Sequence, residues 1–167
     1  ERAAAVAPMA VGDDSPYLQL AEIALERKDS ARAIAALRSA MDADFDNVVL
    51  ARELAALMKE NRVSDPAQLR PVYQRIVAID PFDAEAHAML GRFAMQANQP
   101  DAAIREFKAV LALKPVDQAA AFTDLAESYY RSGRRTEARR QTLAALEIAP
   151  SYERAQNLLL ELAESRP

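Results

Sequence analysis

The chain has 167 residues, of which 51% are hydrophobic and 28% charged, and its formal net charge is -4. This mildly acidic composition argues against nucleic-acid binding, which needs a basic face, and the absence of cysteine excludes disulfides and thiolate metal sites. No uninterrupted apolar run reaches the roughly 18 residues that a membrane span requires. The composition fits the cytoplasm and the periplasm equally well.

The first 13 residues form an alanine-rich segment that contains Pro8 and ends near Gly12 and Asp13. We predict that residues 1–13 are a flexible leader or linker. An alternative is that this segment docks into a groove on a neighbouring copy of the chain.

From residue 14 onward, apolar residues recur with helical spacing, and prolines mark where helices end. Pro81, Pro115 and Pro150 are separated by 34 and 35 residues, and each follows an apolar stretch whose helix a proline cannot continue. The pattern predicts four helix pairs, at 15–27 and 30–43, 47–60 and 66–79, 83–97 and 100–113, and 117–132 and 135–148. We expect almost no β-structure, because no segment alternates apolar and polar residues.

Small residues recur at fixed distances before these prolines. Gly91 lies 24 residues before Pro115, and Ala126 lies 24 residues before Pro150. A small residue at such a position lets two antiparallel helices approach closely. The third unit reads His87, Leu90, Gly91, Ala94, Ala103, Phe107 and Pro115, and the first reads Tyr17, Leu20, Ala21, Ala24, Ala33, Leu37 and Phe45. This spacing resembles the tetratricopeptide repeat family over roughly residues 14–150.

The resemblance implies an all-α fold, an α-α superhelix (solenoid) of four helix hairpins at residues 14–46, 47–81, 82–115 and 116–150. A helix within residues 151–167, predicted at 152–164, would cap the array, with an apolar stripe at Tyr152, Ala155, Leu159 and Leu162. The second unit departs most from the pattern. It carries two extra residues near 61–64, and we expect Pro71 to bend or delay the helix that starts at Pro66.

The resemblance also implies where a partner binds, because the first helix of each hairpin lines the concave wall of such an array. The groove positions carried over from the family are Leu18, Glu22, Arg52, Lys59, Arg92, Met95, Gln96, Thr123, Glu127, Tyr130 and Arg131. We predict that this groove binds a protein or peptide, and that Arg52, Arg92 and Arg131 contact acidic groups on it. Two alternatives stay open: an accessory arm of a larger bacterial enzyme such as a peptidase, or a self-assembly domain that forms a homo-oligomer.

Candidates for chemistry are few. His87, the only histidine, lies four residues after Asp83 and would supply half of a metal site. We favour a histidine that packs where the family places an aromatic residue, with Asp83 capping the helix. The sequence contains no glycine-rich phosphate loop and no nucleophile motif. We therefore predict no catalytic residues, no metal ligands and no cofactor, so that the chain is not an enzyme.

Overall fold

The structure, a computed structural model, describes residues 11–12 and 15–164, and over these ranges the chain is helical with no β-strand. The helices are α1 (Pro16–Glu26), α2 (Ser30–Ala43), α3 (Val48–Glu60), α4 (Pro66–Ile79), α5 (Ala84–Gln96), α6 (Pro100–Ala112), α7 (Gln118–Arg131), α8 (Arg135–Ile148) and α9 (Glu153–Glu164). Each predicted boundary lies within one residue of the observed one. Apart from residues 11 and 12, the predicted leader at residues 1–13 lies outside the described residues.

The helices belong to two compact units, residues 1–81 and residues 82–167. In the first unit, α1 packs against α2, α3 packs against α4, and α2 packs against α3. In the second unit, α5 and α6 form one hairpin, α7 and α8 form another, and α6 packs against α7. The all-α fold built from four helix hairpins and a final helix is therefore confirmed.

The turn inside each hairpin has the same backbone geometry. One residue adopts a positive φ, which ends the first helix, and the next N–H bonds back to a carbonyl five residues earlier. The positive-φ residues are Lys28 (φ 56°), Arg62 (φ 56°), Asn98 (φ 54°) and Gly133 (φ 78°). The corresponding hydrogen bonds are Asp29 N to Ala24 O (2.8 Å), Val63 N to Met58 O (3.0 Å), Gln99 N to Ala94 O (2.9 Å) and Arg134 N to Tyr129 O (2.9 Å).

Helix starts are fixed by acidic or amide side chains that accept a hydrogen bond from a backbone N–H of the first turn. Asp83 shows the pattern: its Oδ1 accepts from the Ala86 N–H at 2.9 Å, as the capping prediction required. The same role is filled at other helices by Asp29, Asn47, Asp65 and Asp117. These short polar residues mark the starts of α2, α3, α4, α5 and α7, whereas α1, α6 and α8 begin without a side-chain cap.

Pro71 neither delays nor breaks α4, so the expectation of a delay was wrong. The helix starts at Pro66 and continues through Pro71 to Ile79. Pro71 removes one backbone N–H from the helix ladder. The helix continues because its other face is anchored: Leu69, Val72 and Tyr73 are buried.

The last helix, α9, closes the second unit by packing against α8 and touching α7. Ala155 and Leu158 are its buried residues. The predicted apolar stripe correctly included Ala155, but Leu158 rather than Leu159 takes the second buried position. The opposite face of α9 is exposed and, apart from Leu160, mostly polar, as expected for a helix that caps an array.

Candidate functional site

The predicted groove residues divide between the two units. In the first unit, Leu18 is half-buried, while Glu22 and Lys59 are exposed. Arg52 is also exposed, but its Nη2 lies 2.6 Å from Oδ2 of Asp80 at the end of α4. Since Arg52 already has an acidic partner within the chain, it would have to exchange that partner for a ligand group.

In the second unit, one cleft brings together five of the predicted residues. The cleft has a volume of about 370 Å³ and lies among α5, α7 and α9. The predicted residues on its wall are Arg92, Met95 and Gln96 from α5, and Glu127 and Arg131 from α7. Phe107, Asp124 and Arg154 complete the lining. The cleft therefore combines three cations, two carboxylates, an amide and apolar surface.

Two predicted groove residues do not lie on this wall. Thr123 is completely buried, and its hydroxyl donates to the Ala119 carbonyl at 2.8 Å. Tyr130 is half-buried and packs against the hydrophobic core of the second unit. The reason is that α7 is an interior helix, with α6 on one side and α8 and α9 on the other. Assigning Thr123 to the open groove was therefore wrong.

Arg154 closes the cleft at the α9 end by a double ion pair. Its Nη2 lies 2.7 Å from Oδ1 of Asp124 and 2.8 Å from Oε1 of Glu127. Partial burial alone would lower the pKa of Arg154, but the hydrogen bond to Asp124 and the charges of Glu127 and Asp124 raise it above its ordinary value. The guanidinium is thus permanently charged, and it engages both carboxylates of the cleft.

The other two cations of the cleft are engaged only weakly. Nη1 of Arg92 lies 3.8 Å from the sulfur of Met89, and Nη1 of Arg131 lies 3.4 Å from the Met95 carbonyl. Both side chains are exposed. With both carboxylates held by Arg154, the side of the cleft at Arg92 and Arg131 carries an uncompensated positive charge.

The sequence prediction missed Asp124 and Arg154. Arg154 lies in α9, beyond the four repeats, so groove positions carried over from the repeat pattern could not include it. Asp124 is the residue after Thr123, which was assigned to the groove in its place. A usable signal was the polar face of α9, which carries Arg154 close to the acidic residues of α7 once the helices are stacked.

His87 is a packed histidine, as expected. It is buried in α5, and its Nδ1 lies 2.7 Å from Oε2 of Glu106 on α6. The Asp83 carboxylate accepts a hydrogen bond from the α5 backbone. Within residues 11–12 and 15–164, no group of three or more histidine, aspartate or glutamate side chains is placed to hold a metal ion.

The arginines at the turn between α7 and α8 have structural partners. Arg134 bonds Glu137 at 2.9 Å and stacks over the Tyr129 ring at 4.7 Å. Arg135 donates to the Leu162 carbonyl at 3.0 Å and so satisfies the end of α9. These contacts leave Arg131 as the member of this group that faces the cleft.

The sequence matches the tetratricopeptide repeat family over residues 64–123 and 94–162, which together span more than half of the chain. The chain belongs to the tetratricopeptide repeat family, as the repeat spacing predicted. No curated protein matches the chain by sequence. Among the described helices, none is both long and apolar enough to cross a membrane.

Solved structures show the same fold. The protein MamA is 23% identical, with a TM-score of 0.70 over 89% of this chain and 79% of its own. MamA from Desulfovibrio magneticus RS-1 is 18% identical, with a TM-score of 0.67 over 92% and 85%. YrrB, described as a TPR protein with an unusual peptide-binding site, is 23% identical, with a TM-score of 0.63 over 84% and 71%. Family and fold together support a protein–protein interaction module, a type of domain that is typically not catalytic.

Proposed function

We propose that the chain binds an extended segment of another protein in the second-unit cleft, and that an acidic group of this segment lies between Arg92 and Arg131. The observation that carries the proposal is the charge arrangement in the cleft. Arg154 engages both carboxylates, and the two remaining arginines make only long contacts with a sulfur and a carbonyl. An incoming carboxylate would gain two charge-assisted hydrogen-bond donors without displacing an ion pair.

The rest of the lining suits a peptide. Gln96 offers an amide that can bond a peptide backbone as donor and acceptor. Met95 provides apolar surface beside the charged groups, and methionine adapts to different side chains because it is unbranched and flexible.

We propose that the predicted groove residues of the first unit contact the partner outside the second-unit cleft. Leu18, Glu22 and Lys59 would contact the partner from the first unit, and Arg52 would first have to leave Asp80. The Arg52–Asp80 pair is partly exposed, so it contributes at most about 1 kcal/mol to stability. A carboxylate of the partner could therefore replace Asp80. The peptide-binding site named for YrrB belongs to that protein, and it supports the proposal only by analogy of fold.

The test uses peptides selected from a random 12-residue phage-displayed library that is panned against the intact chain. Each selected peptide is synthesised with its acidic residues intact and with Asp and Glu changed to Asn and Gln. We expect the neutral versions, and the Arg92→Glu and Arg131→Glu variants, to bind at least about tenfold more weakly. Arg139→Glu, which changes an exposed arginine of α8 outside the cleft, is the matched control and should bind normally. Equal binding by all variants would refute the proposal.

A further inference from the structure

A second cleft, of about 390 Å³, lies in the first unit between α1 and α2. Tyr17, Leu20, Ala24 and Ala36 contribute to its lining, together with Ile23. Ile23 is 46% exposed although it is a large apolar residue. The cleft is thus an open apolar surface that the proposed peptide-binding site does not use.

The repeats show what covers the same positions elsewhere in the chain. Leu20 and Ala24 correspond in the second hairpin to Leu54 and Met58, which lie 34 residues later and have no exposed surface. The helix that packs on α3 from the preceding hairpin is α2. In the first unit, therefore, α2 covers Leu54 and Met58. In α1 the counterpart Ala24 is buried, but Leu20 is only half-buried and Ile23 beside it is exposed.

The fourth hairpin shows the same arrangement independently. Leu125 and Tyr129, which lie 105 residues after Leu20 and Ala24, are buried in one hydrophobic cluster with Ile104 and Phe107 of α6. Ser128, the counterpart of Ile23, has no exposed surface. In both units the second helix of the preceding hairpin covers these positions.

We infer that the α1–α2 cleft is a docking site for an amphipathic α-helix of a partner protein, packed as α2 packs on α3 and as α6 packs on α7. The interface would continue the hairpin-on-hairpin stacking that already holds each unit together. The partner helix would present apolar residues at a spacing of three and four, the spacing of Ile104, Phe107 and Leu111 in α6.

The charge at the rim of the α1–α2 cleft predicts that the partner helix also carries an acidic residue. Arg27, at the turn end of the cleft, is exposed and makes no ion pair within residues 15–164. Its neighbour Arg32 is paired with Asp29 at 3.3 Å. The rim therefore carries one uncompensated positive charge, which favours a helix with Asp or Glu at the end that lies near Arg27.

The test uses a phage library of 14-residue helices held on a stable coiled-coil scaffold and panned against the intact chain. Selected helices are then measured against Ile23→Glu and against Val49→Glu, a control at another exposed apolar residue of the first unit. We expect Ile23→Glu to weaken binding at least about tenfold and Val49→Glu to leave it unchanged. Because Ile23 is nearly half exposed, the glutamate should be tolerated, and thermal unfolding of both variants checks this.

Three results would overturn the inference. The first is that no selected helix depends on Ile23. The second is that deleting residues 1–10 strengthens helix binding at least about tenfold, since the chain's own first segment would then be the occupant. The third is that light scattering shows a multimer that Ile23→Glu dissociates, since a second copy would then fill the cleft. None of these results depends on Arg92 or Arg131, so failure here leaves the proposed peptide-binding site untouched.

Discussion

Gly91 lies directly against the ring of Phe107, so that a methyl group on Gly91 would come within 2.7 Å of the Cε1 and Cζ atoms. Gly91 is in α5 and Phe107 is in α6, so the contact sets how closely the two helices of this hairpin approach. Phe107 is 2% exposed and is packed in the hydrophobic core of the second unit. The contact gives a physical reason for the small residue that recurs at this point of the repeat.

We expect Gly91→Ala to lower the unfolding free energy by about 1–2 kcal/mol, because the clash outweighs the gain of about 1 kcal/mol in helix propensity. Urea unfolding monitored by circular dichroism measures the change. In a Phe107→Leu background the same substitution should be neutral or stabilising, which makes the pair a double-mutant cycle. A stabilising Gly91→Ala in the unaltered chain would show that the contact is not tight.

The positive φ of Arg62 predicts a stabilising substitution. A left-handed conformation costs a residue with a side chain about 1–2 kcal/mol, and glycine avoids this cost. Glycine also loses more conformational freedom on folding, which offsets about 0.5–1 kcal/mol of the gain. Arg62→Gly should therefore raise the unfolding free energy by about 0.5–1 kcal/mol. Gln74→Gly, at an exposed position inside α4, should lower it by about 1 kcal/mol. Thermal unfolding of both variants tests the turn geometry, and a destabilising Arg62→Gly would contradict it.

Arg75 joins α4 to the end of α2. Its Nη1 donates to the Met41 carbonyl at 2.9 Å, and its guanidinium lies 3.7 Å from the centre of the Phe45 ring. Because the Arg75 side chain is only 15% exposed, we expect Arg75→Gln to lower the unfolding free energy by about 1–3 kcal/mol. Arg32→Gln, at an exposed arginine of the same unit, should change it by less than about 0.5 kcal/mol. Equal effects of the two substitutions would show that the Arg75 contacts contribute little.

Substituting Arg154 and substituting its two carboxylate partners should change the affinity for an acidic peptide in opposite directions. Arg154→Met removes one of three cations from the cleft and frees the carboxylates of Asp124 and Glu127, so a selected acidic peptide should bind about three- to tenfold more weakly. Neutralising the carboxylates with Asp124→Asn and Glu127→Gln should strengthen binding of the same peptide. Titrations at low and at physiological salt measure both changes. Shifts in the same direction would contradict an electrostatic role for the cleft.

Most of the fold could be predicted because its signals are local. Prolines follow the ends of several helices, Asp or Asn caps five of the starts, and the apolar period identifies the buried face. Every helix boundary was therefore placed within one residue. Pro71 was the exception, because packing of Leu69, Val72 and Tyr73 in the core overrides the local tendency of proline to interrupt a helix.

The candidate site was less predictable because it depends on contacts between distant residues. The repeat register placed Arg92 and Arg131 on one cleft wall. It could not show that Arg52 pairs with Asp80, which lies 28 residues away, or that Arg154 pairs with Asp124, which lies 30 residues away. The register also placed Thr123 in the open groove, since sequence spacing does not show that α7 is an interior helix with neighbours on both sides.

We propose that an acidic segment binds between Arg92 and Arg131. The methyl group of Met95 lies close enough to report this binding. The chain has five methionines, and Met95 lines the cleft whereas Met41 is buried in the first unit. We propose titrating chain that carries ¹³C-methyl methionine with a selected acidic peptide, with Met95→Leu used to assign the Met95 signal. We expect the Met95 signal to shift and the Met41 signal to stay unchanged, and we expect Arg92→Glu with Arg131→Glu to abolish the shift. An unchanged Met95 signal at saturating peptide, or the same shift in the double variant, would contradict the proposal.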